Sequence, residues 1–330
     1  MEQDKKFIMA QPTLSQRLID RIKFNSHFRN CHHAPTLNKK QETILNSLKH
    51  DGFVILPEYL NTEILTRLQQ DFQQSLEALE FDTPCLAQAK IDLKKHREFI
   101  DNYMYGTPEY IESIGAAFNQ NECKSYQQVI KDFNPSTLSI KMLQHSQTFQ
   151  DVWLNPFLLS IIANYMGLVP QLVEAYVRRN FPAPYRTMNH FWHRDLNHHS
   201  YLLKMFVFLN DCTEENGPHE YIKGSCTEPD KISILNGKRY YTDEEVDAIY
   251  PPNGSDRVLS TVKAGTIVIE DTRGLHRANL PKASYRDLGF AVFMPISNRV
   301  KPLYAFPEHD YNRLDSFQKL FVPDNYLITN

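Results

Sequence analysis

Tyr201-Leu202-Leu203-Lys204-Met205-Phe206-Val207-Phe208-Leu209-Asn210-Asp211 alternates along most of its length. Leu203, Met205, Val207 and Leu209 fall on one side of an extended chain, and Lys204, Phe206 and Phe208 on the other. That period of two belongs to a β-strand. Working outward, Leu172 to Asn180 reads as a second strand. Glu215-Asn216-Gly217-Pro218 is a strong turn, and His219 to Lys223 a short strand ended by Gly224-Ser225. Ala264-Gly265 turns into a strand over Thr266 to Glu270, and Leu288 to Ile296 is another. Many short strands separated by turns, with helices before them, predict a mainly β chain with flanking α: a sandwich or barrel with an N-terminal helical layer outside.

The helices come first. Gln41 to Leu48 is helix-like, and Gly52-Phe53-Val54-Ile55-Leu56-Pro57 is a short apolar strand opened by glycine and closed by proline. Asn61 or Thr62 can cap a long helix in which Ile64, Leu65, Leu68, Phe72, Leu76 and Leu79 recur at helical spacing. A helical pattern returns from Asn155 to Met166 and stops at Gly167, a C-cap position. Residues from about 81 to 135 show no clean period. The spacing predicts residues 1–40 as a partly helical N-terminal arm, with an amphipathic stretch from Leu14 to Phe28 that packs or binds a partner. Residues 41–330 then form a single domain. Residues from about 226 to 258 are a polar excursion with a small helix at Asp243 to Ile249, read either as a lid or as a surface insertion.

Composition narrows the class. Of 330 residues, 42% are hydrophobic and 23% charged, ordinary values for a soluble globular protein. A formal net charge of -3 gives no basic footprint, so no nucleic-acid partner is expected. No apolar stretch has the length of a membrane span, and no membrane partner is expected. Lys5-Lys6 precede only Phe7 to Ala10, too short for a signal-peptide core. Five scattered cysteines, an odd number, suit free thiols in a reducing compartment and predict a cytoplasmic setting. Cys31-His32-His33 lacks a partner pair at zinc spacing and is set aside. Nothing in the sequence specifies an oligomeric state.

The chemistry-bearing motif is His193-Arg194-Asp195, followed by His276 and then Arg286. Residues two apart on a strand share a face, so His193 and Asp195 can reach one metal side by side, with His276 brought in from a neighbouring strand. Two imidazoles and one carboxylate are the protein half of a non-haem iron(II) site with open positions, whereas structural zinc wants four ligands and usually cysteine. Taken singly, His193 and Asp195 could be a surface hydrogen bond and His276 a core or loop histidine. Arg286 lies ten residues after His276, across a turn containing Pro281, a separation that suits a hairpin. A guanidinium buried in a barrel needs an anion, and its planar fork suits a carboxylate; the competing reading is a surface salt bridge with Asp287 or another acid.

From about Lys40 to about Pro295 the chain resembles the phytanoyl-CoA dioxygenase family of iron(II)/2-oxoglutarate oxygenases. The likeness rests on Asp51-Gly52-Phe53-Val54-Ile55-Leu56-Pro57, Trp192-His193-Arg194-Asp195, Asn216-Gly217-Pro218 leading to Gly224-Ser225, and Leu275-His276-Arg277-Ala278-Asn279 leading to Arg286. The resemblance implies a double-stranded β-helix, the jelly-roll core shared with cupins. It implies iron(II) on His193, Asp195 and His276, with 2-oxoglutarate and dioxygen as cosubstrates and Arg286 against the far carboxylate of 2-oxoglutarate. It suggests Lys141 as a further cosubstrate contact, against a plain solvated lysine, and Phe206 as an aromatic wall, against simple core packing. Ala278 replaces the hydroxyl residue that some relatives carry two positions after the distal histidine. His198 and His199 are expected in a loop at the mouth. The implied reaction is hydroxylation of an unactivated C–H bond of a small molecule, in the manner of secondary metabolism, releasing succinate and carbon dioxide. Asp195 disfavours halogenation, since related halogenases have Gly or Ala there to admit chloride; desaturation, epoxidation and ring formation could share the site. Two other classes remain open: a non-catalytic β-barrel binding protein, and a cupin-like metalloenzyme that does not use 2-oxoglutarate.

Overall fold

The computed structural model describes residues 34–78, 80–81, 124–125, 127, 137–183, 186, 188–195, 202–226, 240–295, 306–322 and 327–328. The Leu14 to Phe28 stretch, Cys31-His32-His33, most of residues 81–135 and His198-His199 lie outside them.

Helix α1 (Lys39–Asp51) starts at a capping box in which Asn38 and Gln41 satisfy each other's backbone N–H groups. It leads into β1 (Phe53–Leu56) and α2 (Thr62–Glu77), whose N-cap is Asn61. Strand β2 (Thr137–Ile140) follows, then α3 (Gln147–Trp153) and α4 (Pro156–Met166). Helix α4 carries proline in its first turn and ends at Gly167 in the left-handed conformation, a backbone geometry costly for a residue with a Cβ. The remaining strands of the two main sheets are β3 (Gln171–Asn180), β4 (Trp192–His193), β5 (Leu203–Phe208), β6 (His219–Ile222), β7 (Tyr240–Tyr241), β8 (Arg257–Leu259), β9 (Ile267–Asp271), β10 (His276–Ala278) and β11 (Arg286–Met294). A five-residue helix α5 (Asp243–Asp247) lies between β7 and β8.

Two antiparallel sheets result, one of six strands in the order β1-β9-β5-β11-β3-β2, the other of five in the order β8-β6-β10-β4-β7. The large sheet is apolar on both faces. Leu172, Val177, Leu203, Met205, Val207, Ile269 and Phe293 pack outward in one core with Leu48, Leu68, Phe72 and Leu159 of the helices. Val173, Phe206, Phe208, Val268, Leu288, Phe290 and Val292 point inward and form a second core with Tyr221 of the small sheet. This is the facing-sheet, helix-backed architecture expected of a double-stranded β-helix.

Two expectations change. Residues 240–258 are not a loop, because their two ends are hydrogen-bonded into the small sheet: β7 pairs with β4 and β8 with β6. Tyr241, Val246 and Tyr250 pack with Trp192, Ile222 and Leu275 on that sheet's outer side. Residues 227–239 of the same stretch lie outside the described residues. The segment between His276 and Arg286 is not a hairpin either: β10 belongs to the small sheet and β11 lies between β5 and β3 in the large one. The chain crosses between sheets there, held at Asn279, whose N–H donates to the Pro218 carbonyl at 3.0 Å.

Candidate metal centre

Strands β4 and β10 pair antiparallel with His193 opposite His276. Direct cross-strand partners have neighbouring Cβ atoms. Both imidazoles therefore project from one face, with ring centroids 4.2 Å apart. Asp195 follows β4, its N–H donating to the Thr272 carbonyl at 2.9 Å. Between them Arg194 is buried and donates to the carbonyls of Ser225 at 2.9 Å and Arg273 at 2.6 Å. Ser225 also accepts the Leu275 N–H on its hydroxyl at 2.8 Å. The Gly224-Ser225 turn thus anchors both His193-Arg194-Asp195 and the approach to His276.

Each histidine donates from Nδ1 to a backbone carbonyl, His193 to Phe191 at 2.9 Å and His276 to Gly274 at 3.0 Å. A carbonyl only accepts, so the tautomer is fixed and both Nε2 lone pairs face Asp195, the arrangement a metal requires. His193 Nε2 lies 4.0 Å from Asp195 Oδ1 and His276 Nε2 lies 3.6 Å from Oδ2. One ligand atom from each residue falls within 4.8 Å of the others. Burial lowers the His193 pKa to about 4 and holds His276 well below its usual value. Burial opposes the charge on Asp195, but Lys204 and the two histidines outweigh it and hold this carboxyl well below the carboxylate range. At neutral pH the cluster is two neutral imidazoles and one carboxylate, with no proton to displace before a metal binds.

Further along the inner surface, Arg286 opens β11, 2% exposed. Its guanidinium donates to the Gly217 carbonyl and, at 3.3 Å, to Asn180 Oδ1, while Nε has no hydrogen-bond partner among the described residues. Gly217 has φ +69, and a Cβ there would meet the Asn279 carbonyl oxygen at 2.3 Å, so the turn that offers this carbonyl needs glycine. Among the described residues no carboxylate pairs with Arg286. Asp287, the sequence's competing partner, points the other way and is bound by Arg179 at 2.8 Å. Burial pushes the Arg286 pKa down. A fully buried cation with neutral partners and an unused donor has the chemistry to receive an anion.

Phe206 lines the interior between the two regions, its ring 5.1 Å from His219, whose ring is 5.5 Å from His276. Lys141 is exposed just after β2 and makes no hydrogen bond or ion pair among the described residues. Three residues without a role in the sequence reading do meet here. Lys204 is ion-paired with Asp195. His219 and the fully buried Glu270 are 2.7 Å apart, and Glu270 Oε1 is 3.9 Å from His276 Nδ1. The signal for all three was a charged or titratable residue two positions from an inward apolar one, Lys204 from Phe206, His219 from Tyr221 and Glu270 from Val268. A cavity of about 850 Å³ lies elsewhere, outside the small sheet by Arg186, Glu220, Arg257 and Arg277, and none of His193, Asp195 and His276 lines it.

The model of the phytanoyl-CoA dioxygenase (PhyH) family matches residues 48–280, which include His193, Asp195 and His276. The chain belongs to the PhyH family. PhyH enzymes are iron- and 2-oxoglutarate-dependent, so iron(II) is the metal here and 2-oxoglutarate and dioxygen are the cosubstrates. Among solved structures the chain is similar to the non-heme alpha ketoglutarate dependent carbocyclase SnoK from nogalamycin biosynthesis, at 18% identity over 80% of this chain and 87% of that one, with a TM-score of 0.46. It is also similar to HygX from Streptomyces hygroscopicus with nickel and 2-oxoglutarate bound, at 15% identity over 79% and 88%, with a TM-score of 0.46. No relative was found among curated proteins. Two nitrogen donors and one carboxylate fit iron(II), and the unmatched Arg286 fits a dicarboxylate cosubstrate. Among the described residues no helix is long and apolar enough to cross a membrane.

Proposed function

We propose that this PhyH-family protein hydroxylates an unactivated C–H bond of a small-molecule substrate. In this reading His193, Asp195 and His276 hold iron(II) through two Nε2 atoms and a carboxylate oxygen. Arg286 takes the far carboxylate of 2-oxoglutarate, and Phe206 packs beside it. The observation that carries the reading is the pairing of that three-residue cluster with a buried guanidinium that has no carboxylate among the described residues. A non-catalytic barrel, or a metalloenzyme without 2-oxoglutarate, has no use for such a cation.

When bound, iron(II) and 2-oxoglutarate activate dioxygen: one oxygen atom enters succinate as 2-oxoglutarate loses carbon dioxide, and the other enters the substrate. The chain's own residues orient and exclude. Backbone carbonyls lock both imidazoles, Arg194 fixes the turn between His193 and Asp195, and the apolar inner face of the large sheet keeps water from the reacting region. Asp195 supplies the carboxylate and so leaves no ligand position for a halide. The test is incubation with iron(II), 2-oxoglutarate, labelled dioxygen and a panel of small molecules. Equal amounts of succinate and of a product carrying one labelled oxygen are expected; succinate matched by a product without that oxygen would replace hydroxylation with another oxidation.

A further inference from the structure

We infer that Lys204 is a positioning residue that restricts Asp195 to binding the metal through one carboxylate oxygen. The inference rests on the assignment of His193, Asp195 and His276 as the metal ligands. Lys204 lies on the inner side of β5 with Phe206 and Phe208, and its side chain is 19% exposed. Its ammonium engages Asp195 Oδ2. Oδ1 is left 4.0 Å from His193 Nε2 with no hydrogen bond among the described residues, while the 3.6 Å approach of His276 Nε2 is to the oxygen that Lys204 already holds.

A carboxylate can give a metal one oxygen or both. With two oxygens from Asp195, an octahedral ion would keep two free positions; with one it keeps three. 2-Oxoglutarate takes two as a chelate and dioxygen needs another, so the chemistry requires the one-oxygen mode. An ammonium on Oδ2 enforces it, because chelation by Asp195 would surrender a charge-assisted hydrogen bond in a poorly solvated place. The surroundings hold the ammonium there. Glu270 is the cross-strand partner of Lys204, it is fully buried, and its Oε1 has no hydrogen-bond partner among the described residues while Oε2 meets His219 at 2.7 Å. Two carboxylates therefore flank Lys204 on one inner surface, and Asp195 is the one it engages.

The arrangement has an unusual sign. Residues that support metal ligands ordinarily raise metal affinity, and losing them lowers it. Lys204 brings a positive charge beside a divalent ion, so it should weaken metal binding while securing room for the cosubstrate. Cobalt(II) under anaerobic conditions is the probe, followed by calorimetry and by its visible absorption, which reports coordination number. Lys204→Met, which keeps length without charge, should bind cobalt on the order of tenfold more tightly. The cobalt-loaded variant should bind 2-oxoglutarate on the order of tenfold more weakly, with an altered absorption band. Lys204→Arg should restore both affinities toward those of the parent protein. Cobalt affinity that falls or stays unchanged in Lys204→Met overturns the inference, since simple structural support gives that result. If Lys204→Met does not fold, Lys204→Gln carries the same comparison. Absence of cobalt binding by the parent protein would instead strike the ligand assignment itself.

Discussion

The two sheets face each other but are built by different means. The large sheet is backed by helices, and one continuous apolar core runs from Leu48 and Phe72 to Leu203 and Phe293. The small sheet has ions on its back. Arg277 bridges Glu220 and Asp243 at 2.7 Å each, Arg257 reaches Glu220 at 3.3 Å and also pairs with Asp247, and both guanidinium groups lie over the Trp192 ring, at 4.6 and 5.1 Å. The functional groups divide along the same line. His193 and His276 stand on the small sheet with Asp195 just beyond it, while Lys204, Phe206 and Arg286 stand on the large one. In the proposed reading the helix-backed sheet supplies the cosubstrate's surroundings, and the sheet backed by a small apolar cluster and ion pairs supplies the metal's.

If that division is right, substitutions in the two layers should fail differently. The largest stability loss is expected from Phe293→Ala, which opens a cavity in the large sheet's outer core at about 3–5 kcal/mol; denaturant unfolding measures it. Arg277→Ala should cost less, about 1–3 kcal/mol, because it leaves Glu220 and Asp243 without their shared donor but removes little apolar area. Equal losses from the two variants would show that the layers are not distinct. The metal side should also respond to acid. His190 and His193 are buried and neutral, lowered by that burial to about 3 and about 4, and His276 is lowered as well. The unfolded chain takes up protons on these residues near pH 6.5, and the folded chain does not. Stability of the metal-free protein should therefore fall as pH drops from about 6.5 toward 4. Glu270 and Asp287, raised by burial, work in the opposite sense, but these two are outnumbered by the three histidines with His145, which burial also lowers. A melting temperature that stays level from pH 7 to pH 5 would contradict this. The smallest effect belongs to Lys141→Ala, expected to shift stability by no more than about 0.5 kcal/mol and to leave the 2-oxoglutarate KM unchanged. A raised KM would bring Lys141 back as a cosubstrate contact.

The same contrast explains what could be read from the sequence. Large-sheet strands are long enough to show their period: β5 separates Leu203, Met205 and Val207 from Lys204, Phe206 and Phe208 in the sequence and in the structure alike. Helix ends were legible because their signals are local, as at Asn61, Asn155 and Gly167. The small sheet was legible only at β6, read as a short strand from His219 to Lys223. Strands β4 and β7 have two residues each and β8 three, too few for any period, and their register comes from pairing across long gaps in sequence. Tyr240 and Tyr241 therefore read as a loop until paired with Trp192 and His193. His193, Asp195, His276 and Arg286 stood out through their chemistry rather than their local structure. The interior pair of His219 and Glu270 did not, because each acquires a partner only when β6 and β9 are brought face to face.

The division of labour between the sheets is tested most directly by anaerobic calorimetry on Arg286→Ala, with His276→Ala as its counterpart. Iron(II) is titrated first, then 2-oxoglutarate into the loaded protein. Arg286→Ala should bind iron as the parent does, while its 2-oxoglutarate affinity falls by the equivalent of about 2–5 kcal/mol, the loss associated with a desolvated charge pair. His276→Ala should lose tight iron binding altogether. Unchanged 2-oxoglutarate affinity in Arg286→Ala, or iron binding at parental strength in His276→Ala, would contradict the account.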